Sequence, residues 1–305
     1  MIFLNKLNED WIVDRFRKEW YEYNGQNSTK RISRAKIIWL IAPWMWKKVP
    51  TRHLISKKVI CTIHHIDEEK FDDQEKENFY LRDNFVDEYH TISLKTSNQL
   101  KKLTNKNINV IPFWVNQNIW FEIKNKQKLL TEFNLQKNKF YIGSFQRDTE
   151  GNDLSSPKLS KGPDKFLDVV QYYKEQNEKV EVILTGKRRQ YVIKGLEEKG
   201  ISYRYFEMSN FETINKLYNC LDLYVVSSRV EGGPQSILEC SITKTPIIST
   251  DVGIAAEILS PSSIFSYQEI EKANPDTEYA YKNVQQHLLP TGLENFNKMF
   301  KHHEN

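Results

Sequence analysis

The run Ser227–Glu257, SSRVEGGPQSILECSITKTPIISTDVGIAAE, decides how this chain is read. An apolar strand, LDLYVVS at Leu221–Ser227, ends at two serines. A loop follows with Glu231, Gly232 and Gly233, and a helix begins near Pro234 and Gln235. Proline suits a first helical turn, because the N–H it lacks has no helical partner there. Two glycines just ahead of the helix let the backbone come close to a ligand. The helix start offers free N–H groups and partial positive charge to an anion or to sugar hydroxyls. Glu231 falls in the loop and Glu239 about a turn and a half into the helix. Both are then expected to face one crevice at the C-terminal edge of a sheet, where ligands of such sheets bind.

Outward from this run, strands and helices alternate. Phe140–Phe145 (FYIGSF), Val180–Thr185 (VEVILT), Ile201–Phe206 and Pro246–Thr250 read as strands. Asp164–Gln176, Gln190–Lys199, Asn210–Asn219 and Pro234–Thr243 read as helices between them. In the first third, Lys36–Pro43 (KIIWLIAP), Lys58–His64 (KVICTIH), Asp87–Ser93 and Asn109–Phe113 are strand-like, with a helix over Thr96–Leu103. Short β-branched runs separated by helices predict parallel sheets covered on both faces. The fold class is therefore α/β, with two Rossmann-like domains. The boundaries expected are 1–115 for a short N-terminal domain, 116–285 for the C-terminal domain and 286–305 for a terminal helix.

Bulk composition agrees. A chain of 305 residues with 39% hydrophobic and 12% aromatic side chains is globular and long enough for two cores. A net charge of +4, from 44 basic and 40 acidic residues, is too balanced for a dedicated nucleic-acid binder. Cys61, Cys220 and Cys240 are odd in number, far apart and set among apolar residues. They read as reduced core residues with no metal-ligand spacing. The N-terminal MIFLNKLNEDW lacks the pattern of a signal peptide. The most apolar window, Ile37–Trp46, is far shorter than the ~20 residues a membrane helix needs. The chain is thus expected in the cytoplasm, with peripheral contact at the inner membrane face left open by the basic run Lys47, Lys48, Arg52, Lys57 and Lys58, which reads first as a solvated face.

An isolated Glu-x7-Glu pair is weak, but with its strand, glycines, proline and downstream TDVG it resembles the signature of retaining, GT-B fold glycosyltransferases of the family-4 type. The likeness covers roughly residues 59–260. It departs at Thr245, where the family carries a small residue, and at Ile254, where it carries a second glycine. GSFQR at Gly143–Arg147, with Lys161 and Gly162, resembles the family's diphosphate-clamping Arg and Lys, here separated by a polar insertion over Asp148–Ser160. NVIPFWVN at Asn109–Asn116 resembles the entry to its second domain. TIHHID resembles a strand end whose histidine contacts the donor sugar, at His64 with His65 as rival.

The resemblance implies two Rossmann-like domains facing across a cleft and transfer from a nucleoside-diphosphate sugar to a hydroxyl of a glycan, lipid-linked or small-molecule acceptor. It implies no cofactor and no metal. Glu231, His64, Arg147 and Lys161 take the catalytic roles. Glu239, Gly232, Gly233, Pro234, Gln235, Gly143, Ser144, His65 and Gly253 take donor-binding roles. The acceptor is read by the N-terminal domain, and the terminal helix crosses back onto it. Plainer readings stand beside these. Arg147 has Asp148 and Glu150 for partners, His64 reads as a core histidine, and Gly253 as a turn. Trp39, Trp44 and Trp46 read as core before they read as a sugar platform. A nucleotide-sugar epimerase, or an inactive nucleotide-sugar-binding protein, are the rival functions.

Overall fold

The structure, a computed structural model, describes residues 1–6, 12–152 and 154–303. Residues 7–11 of the segment read against a signal peptide, Asp153 of the polar insertion and the last two residues of the terminal helix lie outside the described residues. Two compact units form. One is Met1–Phe113 with the chain from Pro290 onward, and the other is Trp114–Leu289.

The first unit contains β1 (Ile2–Leu4), α1 (Ile12–Tyr23), β2 (Ile37–Leu40), α2 (Thr51–Ser56), β3 (Lys58–Ile63), α3 (Asp73–Asp83), β4 (Glu88–Thr91), α4 (Leu94–Leu100) and β5 (Ile108–Val110). Its five strands are parallel and lie in sequence order. Because successive side chains point to opposite faces of a strand, the sheet has two distinct sides. Ile38, Leu40, Val59, Cys61 and Ile63 join Leu54 and Phe79 in one core cluster. Trp39, Thr62 and His90 belong to the other side, where Trp39 and His90 meet Trp20 or Phe113. The pairing β1–α1 was not read from the sequence, and neither was α3.

The second unit contains α5 (Lys126–Glu132), β6 (Phe140–Ser144), α6 (Pro163–Gln176), β7 (Val180–Thr185), α7 (Gln190–Glu198), β8 (Tyr203–Phe206), α8 (Phe211–Cys220), β9 (Leu223–Val226), α9 (Gln235–Thr243), β10 (Ile247–Thr250), α10 (Ala255–Ile258), β11 (Ile264–Phe265) and α11 (Thr277–Val284). The order across the sheet is β11-β10-β9-β6-β7-β8, all parallel. Counted within the unit this is 3-2-1-4-5-6, the Rossmann order, whose direction reverses between its first and fourth strands. The strands β7, β9 and β10 are buried along their whole length, as strands covered on both faces must be. In α6, Phe166, Leu167, Val169 and Val170 form the inward stripe. After Pro290 the chain forms α12 (Glu294–Lys301), which packs with the first unit.

The three tryptophans expected together in the core separate. Trp39 is fully buried, Trp46 is half-buried against Phe85, and Trp44 is exposed at 45%. The cysteines are buried and free. Among the described residues, no helix is long and apolar enough to cross a membrane.

A polar wire runs through the first unit's aromatic side. Trp39 Nε1 donates to Thr62 Oγ1 at 2.8 Å, and Thr62 Oγ1 lies 2.9 Å from His90 Nδ1. His90 Nε2 lies 2.7 Å from the Ile111 carbonyl. The carbonyl only accepts, so Nε2 carries the proton and Nδ1 accepts from Thr62. Burial pulls the His90 pKa down to about 3, against the opposing bond to Ile111. Its folded pKa lies below the unfolded value, so its contribution is complete above pH 6.5 and is lost as pH falls from there toward 3. We expect acidification from pH 7.5 to pH 5 to cost about 2 kcal/mol through this residue alone. Chemical-denaturant stability measured across that range should flatten by this amount in His90→Gln. An unchanged pH slope would show that the proton goes elsewhere.

Candidate functional site

The direction of the second unit's sheet reverses between β6 and β9, which are neighbours. In open α/β sheets the crevice outside the carboxyl ends at such a point is where ligands sit. Two loops leave those ends. The one after β6 carries Gln146 and Arg147, and the one after β9 carries Ser227, Ser228, Glu231, Gly232 and Gly233.

Lys161 is brought to Glu231 although 70 residues separate them, and the two form an ion pair. Their side chains are 22% and 11% exposed. The backbone enforces the meeting. The N–H groups of Arg229 and Val230 both donate to the Ser160 carbonyl, at 2.9 and 3.1 Å. Arg229 also grips Asp164 in α6 with two bonds of 2.8 and 2.6 Å, the fork geometry that fixes a guanidinium on a carboxylate. Gly162, in the left-handed region at φ 60°, lies so close to Ser227 that any Cβ would run into its carbonyl. The Ser227 hydroxyl in turn donates to the Gly162 carbonyl at 2.8 Å. The Lys-Gly pair singled out in the sequence is thus a packed junction as well as a source of charge.

Gln146 links the two loops. Its Nε2 donates to the Lys161 carbonyl at 2.9 Å, and its Oε1 accepts from Ser228 Oγ at 3.3 Å. Ser228 Oγ also lies 3.4 Å from Glu231 Oε1. From below, Thr250 Oγ1 donates to the Ser228 carbonyl at 2.6 Å. Gly253, at φ 52°, leaves no room for a Cβ beside the Gly232 carbonyl. Its turn therefore supports the Gly232–Gly233 peptide directly.

Glu239 is buried in α9 and accepts from the Tyr218 hydroxyl at 2.9 Å. Burial first, and then the neighbouring carboxylate, push the Tyr218 phenol well above its ordinary pKa. It stays protonated and donates. Pro234 precedes the first residue of α9, which is Gln235. The left-handed residue that ends α9 is Lys244, at φ 56°, one position before the Thr245 departure noted in the sequence.

Other expected site residues stand differently. Gly143 and Ser144 are buried within β6, and a side chain at Gly143 would strike Leu221. Arg147 is exposed. Asp148 is held by the fully buried Arg189 at 3.0 Å, in a pair 41 residues apart. His64 and His65 belong to the first unit. There His64 is half-buried with Nε2 2.8 Å from the Ile41 carbonyl, and His65 is exposed. Burial lowers the His64 pKa to about 4, so its ring is neutral. Sequence reasoning did not single out Gln146, Ser228, Tyr218, Arg229 or Asp164 as working residues. Gln146 lay inside the GSFQR segment, and Ser228 and Arg229 inside the run that begins at Ser227; Tyr218 and Asp164 carried no such signal.

Residues 155–276 match the family of glycosyl transferases group 1. None of the curated proteins matches the chain. Among solved structures, the chain is similar to Anabaena HepE in complex with UDP-glucose, at 14% identity and a TM-score of 0.76 over 99% of both chains. It is also similar to sucrose-phosphate synthase from Thermosynechococcus elongatus, at 12% identity and 0.70, covering 98% of this chain and 80% of that one. A third is a glycosyltransferase from Rickettsia africae, at 16% identity and 0.66, covering 98% and 83%. The fold is the GT-B type, two Rossmann-like units in one chain.

Proposed function

We propose that this protein is a retaining glycosyltransferase that moves a sugar from a nucleoside-diphosphate donor to a hydroxyl of a glycan, lipid-linked or small-molecule acceptor. The observation that carries the reading is the Lys161–Glu231 pair at the strand-order reversal, inside the segment that matches glycosyl transferases group 1. HepE, a solved structure similar to this chain over 99% of both chains, is in complex with UDP-glucose.

In this reading Lys161 supplies fixed positive charge where the diphosphate leaves, and exposed Arg147 is free to add to it. Preorganised charge of this kind does the work of a metal, so none is needed. Glu231 holds Lys161 before the donor arrives and then accepts bonds from the donor-sugar hydroxyls. The backbone at Gly232 and Gly233 meets the sugar, and the start of α9 meets negative charge. Glu239 accepts from the ribose diol. The bond from the Tyr218 hydroxyl orients its carboxylate. The acceptor hydroxyl attacks the anomeric carbon from the side on which the diphosphate departs, and a departing phosphate oxygen takes its proton. No carboxylate acts as a nucleophile, which separates the site from the paired carboxylates of glycoside hydrolases.

Thermal melts with a panel of nucleoside diphosphates and their sugars test the donor site. A ligand that binds only the folded state stabilises it by about 2.7 kcal/mol at a hundred times its Kd. We expect a rise with one base and its loss in Glu239→Ala. The product's anomeric configuration, read by NMR, tests retention. If no nucleotide raises the melting temperature, the donor site is not there.

A further inference from the structure

We propose that Trp44 is the stacking platform for the pyranose ring of the acceptor, with His64 beside it supplying a hydrogen-bonding edge. The inference rests on the transferase reading and names the acceptor's chemistry, a sugar ring offered face-on.

Trp44 follows β2 at the carboxyl edge of the first unit's sheet, in the segment Pro43–Lys48. Of the aromatic residues in PWMWKK, Trp46 turns inward onto Phe85, at 5.8 Å between ring centroids. Trp44 stays 45% exposed. The backbone that carries it is fixed from several directions. The buried Asn5 side chain takes both polar groups of Ala42, donating to its carbonyl at 2.8 Å and accepting from its N–H at 3.1 Å. The Ala42 carbonyl also accepts from Met45 at 3.1 Å, and Pro43 fixes the intervening φ. Lys47 is tied to Asn78 at 2.8 Å. A backbone anchored in this way narrows where the indole can sit, which lowers the entropy lost when a ligand settles on it.

The neighbour decides the ligand class. The His64 ring lies 5.5 Å from that of Trp44, inclined by 54°, and stacks on Phe113 at 5.8 Å. Its Nε2 donates to Ile41, which leaves Nδ1 as a neutral acceptor nitrogen. A flat indole next to an uncharged acceptor matches a pyranose, whose C–H face is apolar and whose rim carries hydroxyl donors. It matches a phosphate poorly, because a neutral acceptor nitrogen repels an anion. Lys47 and Lys48 nearby make an anionic lipid surface the alternative to exclude.

The test uses methyl glycosides of glucose, galactose and N-acetylglucosamine as probes, read by saturation-transfer NMR on the full chain with nucleoside diphosphate present. We expect binding of at least one glycoside to the native protein. In Trp44→Ala its affinity should fall about tenfold, and Trp44→Phe should recover part of it. The nucleotide-dependent melting shift should be the same in all three proteins, which shows that the variants fold. Equal glycoside binding by native protein and Trp44→Ala overturns the proposal. So does native protein that takes nucleotide but no glycoside. So does Trp44-dependent binding to phosphatidylglycerol vesicles with glycoside binding unchanged. If glycoside binding depends on Trp44 while no nucleotide binds, the platform stands and the donor reading falls.

Discussion

Lys161→Ala is expected to lower the rate of sugar transfer about 10²–10³-fold at saturating donor, the range seen when a preorganised charge is withdrawn from a developing anion. The lysine sits on a left-handed junction, one residue before Gly162, with its backbone carbonyl held by Gln146. Its ammonium is therefore placed before any donor arrives. A purely structural role would show itself differently. Removing Lys161 strands Glu231, whose side chain is only 11% exposed. Full burial would make that loss about 3–5 kcal/mol. With 22% exposure on the lysine side, solvent screening brings it nearer to about 1–3 kcal/mol. The double variant Lys161→Ala/Glu231→Ala separates the two roles. It should be more stable than either single variant, because no charge is stranded. It should be no more active, because residues that act as a unit do not lose activity additively. Lys161→Arg keeps a positive charge and should retain part of the rate. Transfer at the native rate by Lys161→Ala, with stability lowered, would reduce the pair to a structural ion pair.

The legible features in this sequence are local. The strands β6, β7, β9 and β10 appear as apolar runs because parallel strands are buried on both faces. The Glu231 loop and α9 were readable because proline and glycine punctuate a helix start regardless of what packs on it. The illegible features are short or remote. The strand β1 has three residues and β11 two, too few for a period to show. The helix α3 buries only Phe79 among its eleven residues, so its apolar face hardly exists. Tyr218 reaches Glu239 from 21 positions away and Arg189 reaches Asp148 from 41, and no spacing rule foretells such partners. Asp148 shows the consequence. Beside Arg147 in the chain, it pairs with the arginine that the fold supplies from the start of α7. The tryptophans fail for another reason. Trp44 and Trp46 are two residues apart in a tight turn, where neither strand nor helix periodicity assigns a face.

Phe296→Ala is expected to destabilise the first unit by about 3–5 kcal/mol, the cost of emptying a buried aromatic site. Phe296 is fully buried on α12, near the end of the chain, yet its neighbours come from the beginning. It lies 4.9 Å from His90, 5.4 Å from Trp39 and 6.4 Å from Trp20 between ring centroids, and it stacks on Phe113 at 5.7 Å. Phe300, one turn on, meets Trp20 and Trp39 at 5.3 and 5.2 Å. These rings cover the side of the sheet that carries the Trp39–Thr62–His90 wire. Opening that side removes the packing that holds His90 neutral, as well as the contact area. The chain leaves this unit after Phe113 and rejoins it at Pro290, so the stacked pair Phe113–Phe296 brackets the whole second unit. Hydrogen exchange locates the effect. Amides of β2, β3 and β4 should lose protection in Phe296→Ala, while those of β6, β7 and β9 keep theirs and the nucleotide-dependent melting shift persists. Equal loss of protection in both sheets would mean that the two units unfold as one, and that α12 stabilises the whole chain and not the sheet it covers.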